Sequence, residues 1–371
     1  MHEPSHSDLN ITDSPSVVVL VPTINNVADL RRCLQALGRQ IYAPFRVVVV
    51  DGQSRDATPR VTVEAGAEYF EDDASTRADA LNNALRHIEC DIVVFTDDDC
   101  YPPPEWLGRL IRHFERPEVA GVGGPNIAPP DQSFLGKVVD VAFASKGMTQ
   151  GTRYGLTGGA LTEIEHNPGC NSAYRKSVLD EAGGLPSGSI GAEDVALDYA
   201  VTRLGHRLWF DPEAVIYHRR RDRFAPLSRQ MHSYGRGRAL VNAAIPELAH
   251  PAHPLPALAV SGTVALGAVS AAGWAAWLSG WVPRLGSTTW GQGLLAAPLW
   301  AIAFYTALGW IGAALGGSRY RSVATVLLAP WALGISHLYY GLGYLQGRRE
   351  LRRGKIRQDE DIGLGKKARG R

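Results

Sequence analysis

The chain has 371 residues, 45% of them apolar, and a formal net charge of +1. That length and apolar share provide for one large domain or two with a substantial core, and they exclude a disordered chain. A balance so near neutrality gives no global basic field, so no nucleic-acid partner is expected.

The first sixteen residues are polar, contain Pro4 and Pro15 and lack an apolar core, which reads as a short disordered leader and not a cleavable signal peptide. Val17 to Val21 is a β-branched run followed by Pro22 and Thr23. Apolar residues at Val27, Leu30, Leu34 and Leu37 then repeat at helical spacing. Phe45 to Val50 predicts a second strand, ending in Asp51-Gly52-Gln53-Ser54, and Asp56-Ala57-Thr58 opens the next helix. Ala67 to Phe70 predicts a third strand, Ala78 to His87 a helix, and Asp91 to Thr96 a fourth strand. Strands alternating with helices predict an α/β domain with a mainly parallel sheet and right-handed crossovers. The Gly- and Pro-rich stretch Gly121 to Pro130 reads as loop, and Val195 to Leu204 and Val215 to Tyr217 as a helix and a strand.

The fourth strand ends in three carboxylates, Asp97, Asp98 and Asp99. Like charges this close repel, so a cation or a strongly solvated edge is needed to explain them. Alternate residues on an extended segment point the same way, so Asp97 and Asp99 can converge on one hard divalent ion while Asp98 faces elsewhere. An acidic turn capping the next helix is the plain alternative. The four cysteines, Cys33, Cys90, Cys100 and Cys170, are widely spaced with no CxxC pair; that pattern fits a reduced compartment and their spacing predicts no zinc site.

Taken in order, Pro22-Thr23, the stretch Val50 to Thr58, Arg77 with Ala80-Leu81-Asn82, and Asp97-Asp98-Asp99-Cys100 resemble the nucleotide-sugar half of family 2 glycosyltransferases, which have the GT-A fold. His166 to Arg175, Gly191-Ala192-Glu193-Asp194, Ser228-Arg229-Gln230 and Tyr234-Gly235 resemble the acceptor half. The similarity covers residues 17–240 and is greatest to the subgroup that includes the succinoglycan glucosyltransferase of exopolysaccharide assembly. The chain departs from the family in Asn25-Asn26, where Asn-Glu is frequent, and in Gln230-Met231-His232, where processive synthases carry Gln-x-x-Arg-Trp; the latter favours transfer of single sugars.

The resemblance implies an inverting transfer from a UDP-sugar to a lipid-linked or membrane-proximal glycan acceptor, within a polysaccharide assembly complex. It implies a Mg²⁺ or Mn²⁺ cofactor on Asp99 and Asp97, with His218 as a further metal or phosphate contact. Pro22, Thr23, Asp51, Gly52, Ser54, Arg77, Asn82 and Asp98 would line the nucleotide-sugar site. Asn167, Asn171, Gln230 and Tyr234 would face the donor sugar or acceptor. Asp194 would be the general base, oriented or tuned by Glu193. Plain structural readings stand beside these: a turn Asp at 51, a solvated Arg at 77, a helix-capping carboxylate at 194. Transfer to a polyprenyl phosphate, processive polymerisation, and a non-catalytic scaffold that binds nucleotide sugar are the alternative functions.

After residue 254 the composition changes. Leu255 to Val282, Leu285 to Ser318 and Ser322 to Gly347 each lack Asp, Glu, Lys and Arg, and each is long enough to cross a bilayer. The expected organisation is therefore a leader at 1–16, a catalytic domain at 17–240, a linker or interface segment at 241–254, a membrane region at 255–347 and a basic tail at 348–371. Ten Lys/Arg against four Asp/Glu in that tail put it in the cytoplasm by the positive-inside rule, and reduced cysteines put the catalytic half there too. Three crossings would separate the two, so the expectation is that one run is re-entrant or lies in the interface, or that the middle one, containing Pro298, is not a simple span.

Overall fold

The computed structural model describes residues 14–145, 158–186, 192–281, 288–316 and 322–354. Its first half is β1 (Val17–Thr23), α1 (Val27–Leu37), β2 (Arg46–Asp51), α2 (Thr58–Glu64), β3 (Glu68–Glu71), α3 (Arg77–Arg86) and β4 (Ile92–Thr96). These strands lie side by side in the order β3-β2-β1-β4, all parallel, as strand–helix alternation requires. The run Val17 to Val21 is buried on both faces of the sheet. Val18 and Leu20 pack toward α3, while Val17, Val19 and Val21 pack toward α1, so a continuous apolar strand fills two cores at once.

The next stretch holds β5 (Cys100–Tyr101), α4 (Trp106–Ile111), β6 (Val119–Gly123), β7 (Asn126–Ile127), α5 (Phe134–Phe143), β8 (Thr162–Ile164), β9 (Asn171–Arg175), α6 (Lys176–Ala182), α7 (Glu193–Arg203), β10 (Arg207–Phe210) and β11 (Ile216–His218). Strand β9 enters beside β4 in the antiparallel sense, and the sheet continues β9-β6-β10-β8. A second, three-stranded sheet β5-β11-β7 begins just beyond the C-terminal end of β4 and registers His218 opposite Cys100.

One expectation fails. The Gly-rich stretch from residue 121 contains two strands, and Gly121 lies in the middle of the main sheet, fully covered. A Cβ there would lie 2.7 Å from both Leu208 and Tyr174, so glycine serves close packing between neighbouring strands and not a turn.

The last part is α8 (Phe224–Ala244), α9 (Leu255–Leu278), α10 (Thr289–Leu295), α11 (Ala297–Gly316) and α12 (Val323–Arg352). Helices α9, α11 and α12 are each long and apolar enough to cross a membrane. The boundary expected at residue 240 falls inside α8, which runs along α12. Leu227 and Met231 share a core with Ala329, Ala332 and Leu333, and Arg236 pairs with Glu350 at 2.8 Å.

Candidate active site

The C-terminal ends of β1, β2 and β4 form one edge, where ligands of open α/β sheets sit. Asp51 ends β2 and is wholly buried. One carboxylate oxygen accepts from the Ser54 N–H (3.1 Å) and hydroxyl (2.5 Å), the other from the Tyr69 hydroxyl (2.8 Å). The opposing loop is tied to the same turn. Asn25 and Gln53 take left-handed φ values of 50° and 63°, the Asn25 N–H donates to Ser54 Oγ (2.7 Å), and the Gly52 N–H donates to the Thr23 carbonyl (3.0 Å). Pro22 pairs with Val50 in the β1–β2 register, so Pro22, Thr23, Asp51, Gly52 and Ser54 are one continuous wall.

The three aspartates divide their work. Asp98 turns toward β1, where Thr23 Oγ1 (2.6 Å) and Asn26 Nδ2 (3.0 Å) donate to its two oxygens. Burial, then the charge of Asp99, pushes its carboxyl up to about 7. Asn26 thus has a definite function at the position where the family pattern has Glu. Donor atoms of Asp97, Asp99, Cys100 and His218 lie within 4.8 Å of one another. Asp99 is 2% exposed; one oxygen lies 3.2 Å from His218 Nε2 and the other 2.8 Å from Arg221 Nη1. Burial opposes ionisation, but His218 and Arg221 outweigh it and hold Asp99 at about 2. Burial likewise opposes charging His218, yet Asp99 and Cys170 raise it to about 10. Two carboxylates and one imidazole converging at a buried edge suit a hard divalent cation, and a cation on Nε2 displaces that proton.

Arg77, at the start of α3, joins this edge to the second acidic set. Its guanidinium donates to Asp97 at 2.6 Å and lies 3.4 Å from Glu193 at the start of α7. Burial, eased by Arg77 and reinforced by Asp194, raises the Glu193 carboxyl above its ordinary value. Asp194 is held by the Val195 N–H (2.9 Å) and the Gly169 N–H (3.2 Å). A Cβ at residue 169 would lie 3.0 Å from that of Asp194, so the glycine lets the 166–171 loop approach the carboxylate.

Asp198, one helical turn further on, is a residue that sequence reasoning missed. It is fully buried and accepts from His166 Nδ1 (2.9 Å), the Asn167 N–H (2.7 Å) and the Tyr174 hydroxyl (2.7 Å). The other ring nitrogen of His166 lies 3.9 Å from Asp194, so the histidine stands between two carboxylates and not at the metal-capable cluster. Its i, i+4 spacing from Asp194 in a helix was the available signal.

Several expected ligand contacts are occupied within the protein. Asn82 uses its amide nitrogen and oxygen on the Leu185 carbonyl and N–H (2.7 and 2.8 Å), bracing the segment before residue 187. Asn171 accepts from Trp106 Nε1 (2.7 Å) and donates to the Pro125 and Ala214 carbonyls (3.1 and 2.8 Å), a knot at the start of β9. Asn167 is buried, and neither side-chain amide atom has a hydrogen-bond partner among the described residues. Gln230 and Tyr234 pair with each other (3.3 Å) on an open face of α8. The Gly188 to Gly191 loop lies outside the described residues. After β11, Arg219 lies 3.5 Å from Asp29, Arg220 is buried against Asp140 (2.7 Å), and Arg221 pairs with Asp99, so these three charges are committed to the fold and the site.

The sequence profile described as Glycosyl transferase family 2 matches residues 18–183. The chain carries a family 2 glycosyltransferase domain. Glycosyltransferase AglE of Haloferax volcanii is 25% identical over 236 residues, which are 61% of this chain and 74% of that protein. Succinoglycan biosynthesis protein ExoA of Rhizobium meliloti is 25% identical over 237 residues, 61% of this chain and 70% of that protein. Among solved structures, the mannosyltransferase PcManGT from Pyrobaculum calidifontis, determined with GDP-Man and Mn²⁺, superposes with a TM-score of 0.53 at 22% identity, covering 90% of this chain and 88% of that one. That likeness establishes the GT-A-like fold of the glycosyltransferase domain.

Proposed function

We propose that this glycosyltransferase is membrane-bound and inverting, and that it moves one sugar from a UDP-sugar to a lipid-linked or membrane-proximal glycan acceptor in cell-surface or exopolysaccharide synthesis. The observation that carries this reading is the Arg77 bridge between Asp97 and Glu193, because it draws the diphosphate end and the acceptor end of the reaction into one cleft.

Mg²⁺ or Mn²⁺, held by Asp97, Asp99 and His218, would supply positive charge to the departing diphosphate. The wall formed by Pro22, Thr23, Asp51, Gly52 and Ser54 receives the nucleoside. Asp194, tethered by two backbone N–H groups, removes the proton of the acceptor hydroxyl on the side opposite the leaving group. Arg77 balances the Asp97 and Glu193 charges and frees Asp194 to act alone. His166, between Asp194 and Asp198, orients the base. Asn167, with its unpaired amide, offers hydrogen bonds to a sugar hydroxyl.

The membrane assignment rests on α9 and α11, which are exposed nearly all round, 11% and 17% buried over their most apolar windows against 33% for α12. Residues 17–244 then form the catalytic unit and 255–347 the membrane-associated region. Asp194→Asn tests the chemistry: UDP release falls about 10³-fold while UDP-sugar binding with Mn²⁺ persists. Undiminished turnover would remove Asp194 as the base.

A further inference from the structure

Beside the Asp97–Asp99 edge lies a second donor set, of which sugar transfer uses His218 and neither cysteine. Cys100 Sγ, Cys170 Sγ and a ring nitrogen of His218 lie within 4.8 Å of one another, although the cysteines are seventy residues apart in sequence. Cys100 is fully buried, Cys170 nearly so, and both are free thiols. The Cys170 sulfur is 3.6 Å from His218 Nδ1. Tetrahedral zinc, with Zn–S near 2.3 Å and Zn–N near 2.0 Å, separates its sulfur and nitrogen ligands by roughly 3.5 Å.

The three donors are held before any metal arrives. Cys100 and His218 are paired residues of neighbouring strands, and Cys170 precedes Asn171, which three hydrogen bonds pin in place. The second ring nitrogen of His218 lies 3.2 Å from Asp99, the carboxylate–histidine arrangement that fixes the tautomer of a zinc-bound imidazole. Thiolates select a soft or borderline ion, whereas the Asp97–Asp99 edge selects a hard one.

We propose that Cys100, Cys170 and Nδ1 of His218 form a thiolate site for Zn²⁺ that adjoins the hard-cation edge and shares His218 with it. On binding, two thiol protons leave to solvent as two Zn–S bonds form, and the fourth coordination position stays open. A neutral imidazole offers one lone pair, so zinc on Nδ1 leaves the proton on Nε2, facing Asp99, and withdraws His218 from a hard cation. Zinc binding itself goes beyond the sugar-transfer reading and needs no turnover to be seen.

The test uses the full chain in detergent, stripped of metal and titrated with Co²⁺. Wild type should bind one equivalent with sulfur-to-cobalt charge-transfer absorption, which Zn²⁺ abolishes. Cys100→Ser and Cys170→Ser should lose that absorption, while Cys90→Ser keeps it. No such band, or a band unchanged in both Ser variants, overturns the site. Should the variants not fold, X-ray absorption of zinc-loaded wild type decides: two sulfur ligands support the site, and a shell of nitrogen and oxygen alone overturns it. Mn²⁺ affinity, read by electron paramagnetic resonance, should fall about tenfold on zinc loading, and an unchanged affinity overturns the shared histidine.

Discussion

Arg77 shows how much a single side chain carries here, because its forked guanidinium reaches Asp97 and Glu193 at once. Lysine keeps the charge and loses the fork. Arg77→Lys should therefore lower kcat/KM for the proposed UDP-sugar donor about tenfold and Arg77→Ala further, measured as release of the nucleoside diphosphate; unchanged kinetics in both would remove the bridge from the proposed mechanism. A second residue-scale prediction concerns Asp211, just after β10. Burial opposes its ionisation, but His113, the Glu213 N–H and Arg112 hold it at about 2, below the ordinary 3.8. A lowered carboxyl pKa stabilises the fold above the unfolded value, and that stabilisation disappears as pH falls from about 4 to about 2. Asp211→Asn should cost about 2 kcal/mol at pH 7 and far less at pH 2, read from denaturant melts; an equal loss at both would show that the charge is not responsible. The aspartates at strand ends were legible in the sequence. Asp198 left only its i, i+4 spacing from Asp194 as a sign, and the tie from Asn26 to Asp98 left none, because nothing in a residue's type reveals which distant partner will satisfy it.

At the scale of elements, the parallel half follows from local pattern, and α1 spans the Val27–Leu37 stretch that its spacing predicts. The stretch from Gly121 misled because glycine marks a turn in isolation and a close approach in a sheet. Glycines also set the contact between α8 and α12. A Cβ at residue 343 would fall on the His232 carbonyl, which backbone cannot vacate without moving a helix, whereas one at residue 267 would meet nothing within 4 Å. Gly343→Ala should cost about 2 kcal/mol in a detergent thermal melt, with Gly267→Ala near wild type. Equal melting of the two variants would argue against tight α8–α12 packing.

For the whole molecule, α9, α11 and α12 are each long and apolar enough to cross a bilayer. Helix α12 lies on α5 and α8 from Ala329 to Leu351; Asp140 of α5 pairs with Arg220, before α8, and Arg236 of α8 pairs with Glu350 of α12 itself. Its outer face shows Val323, Leu327, Trp331, Leu338 and Leu342. Helix α12 thus packs one face on protein and leaves an apolar face bare, while its length and composition also suffice to cross a bilayer. Free cysteines in the catalytic half and the basic residues after Gly347 predict that both ends lie on one side of the membrane, with an even number of crossings. Reporters fused at the two ends should both read cytoplasmic; opposite readings would establish an odd number of crossings.

Local chemistry alone decided the strand–helix alternation, the acidic strand end and the three apolar runs, since each depends on neighbours a few residues apart. Tertiary structure alone decided which charges meet. Coulomb attraction and hydrogen bonding act over a few ångströms of space, and only the folded sheet brings Asp97 to Glu193, Cys100 to Cys170, and α12 onto the body it covers.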